Sequence, residues 1–136
     1  MNPRLVSIVV AAAIAGVVAV AFASVVTRPA ERSFAKHTGA GLYVCATCRH
    51  PLFRSEDKFE SATRWPSFRA SVPEAVVTRP DSSYGLDRTE VLCSQCNAHL
   101  GHVFEDGDRT GDTHADARWR YCILSAALEF EPRGEG

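Results

Sequence analysis

The amino-acid sequence predicts a mostly β domain built around a four-cysteine metal site and preceded by an apolar N-terminal helix. Along residues 41–132, short runs with strand composition alternate with turn residues, and no long amphipathic helix interrupts them. Two CxxC pairs, Cys45 with Cys48 and Cys93 with Cys96, have the knuckle spacing of a tetrahedral metal site. A chain of 136 residues with a formal net charge of −1 is expected to form one domain, a monomer, without a basic surface for nucleic acid.

The N-terminal residues 1–26 are predicted to be a signal anchor or a signal peptide. Residues 5–26 carry no charged side chain, and a helix of that length, at about 1.5 Å per residue, crosses a hydrocarbon core about 30 Å thick. The motif Ala21-Phe22-Ala23 suits cleavage of an export signal, but so long an apolar run favours a retained membrane anchor. A short charged N terminus favours export, with the domain extracytoplasmic, periplasmic in a bacterium; the positive charges beyond the span leave a cytoplasmic orientation as the alternative.

Residues 27–40 combine one proline, one glycine and several charges without apolar periodicity, which predicts a linker. The folded domain is expected over residues 41–132, followed by a tail at 133–136. Its predicted strands are residues 42–44, 51–53, 74–79, 89–92, the segment that contains Cys122, and 128–130.

Two other parts of the domain are predicted to be irregular. Residues 58–72 carry aromatic side chains without a helical or strand period, which indicates a loop with buried aromatic residues. Trp65 in this loop is expected either to fill the core or to contact a ligand. The turn residues of 80–86 and the polar, glycine-containing stretch 106–116 predict a turn and a loop.

Four cysteine thiolates are the ligand set of a closed structural Zn²⁺ site, and 44 residues separate the two pairs. Disulfide bonds are the alternative, above all in an exported domain. Zinc is favoured because each CxxC knuckle places two sulfurs on one ion, whereas a disulfide within CxxC closes a short, strained loop. Four cysteines leave no open coordination position, so the ion is expected to stabilise the fold and to take no part in catalysis.

Cys122 is the one cysteine outside the two pairs and is the predicted nucleophile. Arg120 lies two residues earlier and shares a face with it in a strand, so the guanidinium is expected to favour the reactive thiolate. The alternative is a small, inert cysteine buried in the core.

His99, His102 and Asp106 are candidates for proton transfer beside Cys122. The two histidines would face opposite sides of a regular strand, but a bend at Gly101 would bring both to one pocket. There a histidine could deliver a proton, and Asp106 could fix its tautomer.

Several longer motifs carry a resemblance to a known protein family. They are Gly41-Leu-Tyr-Val-Cys-Ala-Thr-Cys48, Pro51-Leu-Phe53, Lys58-Phe59, Trp65-Pro-Ser-Phe68, Cys96-Asn-Ala-His-Leu-Gly-His-Val-Phe-Glu-Asp-Gly107, Arg120-Tyr-Cys122 and Ser125-Ala-Ala-Leu128. Over residues 41–132 the chain thereby resembles the B-type peptide-methionine (R)-S-oxide reductases. The resemblance implies a mostly antiparallel β fold, a four-cysteine zinc site and a shallow pocket for an oxidised methionine side chain of a peptide or protein.

The resemblance also implies roles for individual residues. Cys122 would attack the sulfoxide sulfur and become a sulfenic acid while a proton reaches the oxygen from the His99 and His102 region. Trp65 and Phe104 would bind the substrate, with the aromatic face of Trp65 against its S-methyl group.

The chain departs from the family pattern at several positions. Leu124 stands where the family usually has asparagine, Arg64 replaces a glycine, and the link over residues 107–119 is longer. Thr63 occupies the place of a resolving cysteine found in many relatives, so a thioredoxin-like dithiol is expected to reduce Cys122 directly. Two alternative functions remain: a zinc-ribbon-like binding module with a decayed site, and a general thiol oxidoreductase that uses the CxxC pairs.

Overall fold

The computed structural model describes residues 33–134, and most of its regular structure consists of β-strands, as predicted. The predicted apolar helix at residues 5–26 lies outside the described residues, so its membrane insertion and orientation stay predictions. Within the described range, no helix combines the length and the apolar character needed to cross a membrane.

The strands in this range form two antiparallel sheets. They are β1 (Gly41–Cys45), β2 (Pro51–Arg54), β3 (Lys58–Phe59), β4 (Ser67–Phe68), β5 (Val76–Asp81), β6 (Arg88–Cys93), β7 (His99–Phe104), β8 (Arg120–Ile123) and β9 (Leu128–Pro132). The order is β2-β1-β9 in one sheet and β3-β4-β8-β7-β6-β5 in the other. The helical elements are short: α1 (Gly107–Thr110) and three 3-10 turns at Ser55–Asp57, Ser83–Gly85 and Ser125–Ala127.

An aromatic core joins the two sheets. Phe53 of β2 stacks on Phe68 of β4 with ring centroids 4.4 Å apart, and Tyr43 of β1 meets the same Phe68 ring at 5.1 Å. Burying one such side chain contributes about 1.5–3 kcal/mol. In β8 the side chain of Ile123 is fully buried, and because successive side chains of a strand alternate, Cys122 points to the opposite face of the sheet.

The observed β5 is shifted by two residues from the predicted strand at 74–79 and continues into the predicted turn at 80–86. It includes Pro80, whose missing N–H would break a ladder in the middle of a sheet. Because β5 is an edge strand of the six-stranded sheet, the proline is tolerated there.

The aromatic residues of the predicted loop at 58–72 have different environments. Phe59 and Phe68 are buried, as expected, and they belong to the two-residue strands β3 and β4. Trp65 is 42% exposed, so the interpretation of its ring as core filling is wrong.

The predicted linker at residues 27–40 packs against the domain over its described part. Phe34 is only 7% exposed, its N–H donates to Ser125 Oγ at 3.0 Å, and its ring lies edge-on to Tyr43 with centroids 5.5 Å apart. His37 Nδ1 lies 2.8 Å from the Tyr43 hydroxyl. A single phenylalanine produces no periodic pattern in the sequence, and this is why composition alone indicated a linker here.

Candidate active site and metal centre

Each CxxC pair forms the turn of a β-hairpin, and the two turns are alike. The N–H of Arg49 donates to the carbonyl oxygen of Cys45 at 2.8 Å, and the N–H of Asn97 donates to that of Cys93 at 2.9 Å. Arg49 and Asn97 each follow the second cysteine of a pair with a positive φ, 68° and 61°. Asparagine adopts a positive φ readily and arginine does not. The hairpin around Arg49 must therefore hold its backbone in this conformation.

The four sulfurs of the two turns converge. Cys45 Sγ lies 3.7 Å from Cys96 Sγ, and Cys48 Sγ lies 3.6 Å from Cys93 Sγ. With metal–sulfur bonds of about 2.3 Å, a tetrahedral site separates its sulfurs by about 3.8 Å. A disulfide needs about 2.05 Å, and all four cysteines are free in the structure, so the disulfide alternative does not fit. The cysteines therefore form a cluster that can hold one metal ion, as predicted.

The electrostatics of this cluster favour a bound cation. Burial raises the pKa of the Cys93 thiol. The backbone at Ala98 lowers the pKa of Cys96, but burial and the three neighbouring sulfurs outweigh that effect and raise it to about 12. Four thiolates this close repel one another, so a cation among them is needed to keep them all ionised.

Strand β7 bends at Gly101. The register of β6 against β7 shifts opposite this bend, and a Cβ atom at Gly101 would lie 2.1 Å from the carbonyl oxygen of Cys122. Only glycine permits that approach of the two backbones. As a result His99 and His102 face the same side, with ring centroids 5.4 Å apart.

A cavity of about 330 Å³ lies on this face of the six-stranded sheet. It is lined by Thr63, Trp65, Arg88, His99, Gly101, His102, Phe104, Arg120, Cys122 and Leu124. The structure thus brings together all the predicted catalytic and substrate-binding residues except Asp106, which lies behind Arg120.

The histidines have carboxylate partners that sequence reasoning missed. His102 Nε2 lies 2.7 Å from Asp81 Oδ2, and His99 Nδ1 lies 2.6 Å from Glu90 Oε2. The prediction that Asp106 fixes a histidine tautomer is therefore wrong. Because Asp81 and Glu90 reach the histidines only through the β5–β6–β7 register, no local sequence signal identifies them.

Asp106 instead holds Arg120. The Nε and Nη2 atoms of Arg120 donate to the two carboxylate oxygens of Asp106 at 2.8 and 3.1 Å. The Cζ atom of Arg120 also lies 4.5 Å from the centre of the Phe104 ring. These contacts fix the guanidinium in the wall of the cavity. Arg120 lies two positions before Cys122 in the same strand.

Burial raises the pKa of the Cys122 thiol. The Arg120 guanidinium lowers it, but not enough to offset burial, and the Asp106 carboxylate opposes Arg120. The sequence predicted that Arg120 would favour the thiolate, and the guanidinium does lower the pKa of Cys122. Because burial raises that pKa by more, the protein without substrate holds Cys122 as a thiol. A neighbouring base is therefore needed to activate Cys122.

Of the departures from the family pattern, Thr63 and Leu124 line the cavity, Arg64 is exposed and does not line it, and the long link at 107–119 is held by an ion pair. Leu124 lines the cavity and is 38% exposed, and Thr63 lines it with its hydroxyl donating to the carbonyl oxygen of Trp65 at 3.2 Å. Within the long link at 107–119, the buried Asp112 accepts a hydrogen bond from Arg69 Nη2 at 2.8 Å. This ion pair attaches the link to the residue that follows β4.

The sequence matches the SelR domain over residues 16–132. It is 51% identical over 98 residues to the peptide methionine sulfoxide reductase MsrB of Leptospira interrogans, covering 71% of this chain and 70% of that protein. It is 49% identical over 109 residues to the protein of that name from Thiobacillus denitrificans, covering 76% and 77%. Methionine-R-sulfoxide reductase B3, mitochondrial, of Mus musculus is 47% identical over 104 residues, which span 75% of this chain but 38% of the mouse protein.

Proposed function

Because the chain belongs to the SelR domain family of B-type methionine-R-sulfoxide reductases, we infer that it is a peptide-methionine (R)-S-oxide reductase. It reduces methionine-R-sulfoxide in peptides and proteins to methionine. One observation carries this conclusion beyond family membership: Cys122 and two carboxylate-bound histidines line a single cavity beside Trp65.

The reaction transfers one oxygen atom from the methionine sulfur to the Cys122 sulfur. The sulfur–oxygen bond of the sulfoxide breaks, a sulfur–oxygen bond to Cys122 forms, and the thiol proton ends on the transferred oxygen. The sulfoxide is reduced to a thioether by two electrons, and Cys122 is oxidised to a sulfenic acid. A resting thiol, which the raised pKa of Cys122 implies, supplies the one proton that this balance requires.

The other residues of the cavity assist the transfer. A histidine takes the thiol proton and returns it to the oxygen, which makes the oxygen easier to displace. Arg120 stabilises the negative charge that develops on the Cys122 sulfur. The apolar faces of Trp65 and Phe104 suit the S-methyl group and the methylene chain of the substrate.

Zinc is the ion proposed for the four-cysteine cluster, since four thiolates at tetrahedral spacing are its usual structural ligand set. The ion would join the β1–β2 hairpin to the β6–β7 hairpin, and β7 carries both histidines of the cavity. A general thiol oxidoreductase that uses the CxxC pairs is disfavoured, because all four of these sulfurs point at one site. The decayed binding module is disfavoured by the assembled cavity.

An external dithiol is the proposed reductant. No cysteine other than Cys122 lines the cavity among residues 33–134, and Thr63 stands where a resolving thiol would act. One thiol of the reductant would attack the sulfenic acid, release water and form a mixed disulfide with Cys122. Its second thiol would then release the Cys122 thiol, which is the chemistry of a thioredoxin-like protein.

The activity test uses a peptide that contains methionine sulfoxide, with dithiothreitol as the reductant. We expect turnover of the R epimer, and after one turnover without reductant we expect mass spectrometry to find one extra oxygen on Cys122 and no new disulfide.

The S epimer of the same peptide is the matched control, and it should not be reduced. Equal reduction of both epimers would contradict the assignment. An intramolecular disulfide that involves Cys122 would contradict the external-reductant step while leaving the reductase activity in place.

Leu124 tests whether the pocket needs a polar group at that position. We expect Leu124→Asn to leave kcat/KM unchanged or to raise it, because an amide there could donate to the sulfoxide oxygen, and the side chain is partly exposed at the cavity wall. Steady-state kinetics on the R-sulfoxide peptide measure this.

Leu124→Ala is the matched control, since it removes the apolar side chain without adding a donor. A loss of about tenfold or more in the asparagine variant alone, equivalent to about 1.4 kcal/mol, would show that leucine is an adapted part of this pocket.

A further inference from the structure

The carboxylate of Asp81 is held on both of its oxygens at the end of β5. Its Oδ1 accepts the backbone N–H of Ser83 at 3.0 Å, and its Oδ2 lies 2.7 Å from His102 Nε2 and 3.7 Å from Arg88 Nη2. The hydrogen bonds from His102 and Ser83 hold the pKa of Asp81 well below its usual range, so the group is ionised. An ionised carboxylate can only accept hydrogen bonds, so Nε2 of His102 must be the nitrogen that carries hydrogen.

That assignment leaves His102 Nδ1 with a free lone pair when the ring is neutral. Within residues 33–134 no hydrogen bond occupies this nitrogen. His102 also pairs directly with Cys122 across β7 and β8, and both residues line the same cavity. A neutral imidazole with a free lone pair, on the residue paired across the strands with a protonated thiol, can serve as its general base once the two atoms come within hydrogen-bond reach.

His99 is oriented in the opposite sense. It uses Nδ1 to contact Glu90 Oε2, which leaves Nε2, the nitrogen farther from the backbone, as its available atom. Its side chain is 42% exposed, compared with 16% for His102. The two histidines of the cavity are thus not equivalent: the ring of His102 is the deeper one, and it is the ring paired with Cys122.

We propose that Asp81 is a positioning residue that locks His102 in its Nε2–H tautomer, so that Nδ1 takes the proton of the Cys122 thiol and then gives it to the sulfoxide oxygen. This inference rests on the proposed function. In the first step the sulfur–hydrogen bond breaks, an Nδ1–H bond forms, and the imidazolium is stabilised by the Asp81 carboxylate. In the second step the Nδ1 proton passes to the oxygen as that oxygen moves to the Cys122 sulfur, and His102 returns to its neutral tautomer.

Asp81→Asn tests the proposal, because asparagine has nearly the same shape but can donate to Nε2 and thereby stabilise the Nδ1–H tautomer. We expect kcat for R-sulfoxide reduction to fall by at least about a hundredfold, with KM changed less than about threefold, as for the loss of a positioned general base. Asp81→Glu, which keeps the carboxylate, should restore part of the lost kcat.

The tautomer is measured separately from turnover. Two-bond ¹⁵N–¹H spectra of the ¹⁵N-histidine-labelled full chain distinguish Nε2–H from Nδ1–H, with His102→Gln assigning the signals. We expect Nε2–H for His102 in the wild type and a shift towards Nδ1–H in Asp81→Asn. Because these spectra also report folding and need no substrate, they separate a misfolded variant from one with the wrong tautomer.

Glu90→Gln is the matched control, since it makes the same change at the partner of the other histidine. Its loss of kcat should be at least tenfold smaller than that of Asp81→Asn; an equal or larger loss overturns the assignment to Asp81. An Nδ1–H tautomer in the wild type, or an active wild type whose kcat survives Asp81→Asn, overturns it too. A wild-type chain that fails to reduce the R-sulfoxide contradicts the proposed function instead.

Discussion

Replacing Cys122 with serine should lower R-sulfoxide reduction at least about a thousandfold, to the background of the assay. A serine hydroxyl is hardly ionised at neutral pH and cannot take up the oxygen as a stable sulfenic acid, so both the attack and the product are lost. Turnover of the R-sulfoxide peptide with dithiothreitol measures the effect. Because this sulfur lies outside the metal cluster, metal content and the thermal unfolding midpoint should stay close to those of the wild type.

Chemical titration of the native protein is the control for this variant. If the other four sulfurs bind a metal ion, as we propose, a thiol reagent should modify Cys122 alone, and serine at position 122 should abolish that reaction. Several reactive thiols in the native wild type, or retained activity after Cys122 is alkylated, would show that a different sulfur performs the chemistry.

The β architecture and the metal cluster were predictable because their signals are local. A CxxC turn needs two residues between its cysteines and a following residue that accepts a positive φ, as Asn97 does. The short apolar runs around Tyr43 and Phe53 have strand composition and are bounded by turn residues, and each run is buried over consecutive residues. Both signals can be found within a few residues, and the structure follows them closely.

The polar contacts of the cavity were not predictable, because they depend on the pairing of distant strands. Asp81 reaches His102 from two strands away, and its position on β5 depends on where an edge strand ends. Asp106 is close to both histidines in sequence but turns towards Arg120. Proximity in sequence is therefore a poor guide to the partner of a charged side chain in an antiparallel sheet.

The thiol form of Cys122 was missed for a different reason. The spacing of Arg120 and Cys122 reveals the favourable charge but not the burial that opposes it. The relative size of these effects depends on how the six-stranded sheet covers the sulfur, which becomes known only with the fold. Family resemblance gave the residues at the site, whereas the geometry indicates how the nucleophile must be activated.

Removing the metal ion proposed for the four-cysteine cluster should unfold the domain. Structural zinc sites contribute about 10–16 kcal/mol to folding, and a domain of this size has a total stability of only about 5–15 kcal/mol. Without the ion, four crowded thiols would remain where two hairpins are now joined. We therefore expect Cys48→Ser or Cys96→Ser to bind less than one metal ion per chain, to lose the strand signal in far-ultraviolet circular dichroism and to lose reductase activity.

Cys122→Ser is the matched control, since it removes one sulfur and leaves the cluster intact; its circular dichroism and metal content should be those of the wild type. Readdition of Zn²⁺ to chelator-treated wild-type protein should restore both the fold and the activity. If a metal-free chain instead keeps its sheet structure and reduces R-sulfoxide at the wild-type rate, the aromatic core of Tyr43, Phe53 and Phe68 is sufficient by itself to hold the β7 histidines against Cys122, and the metal is dispensable.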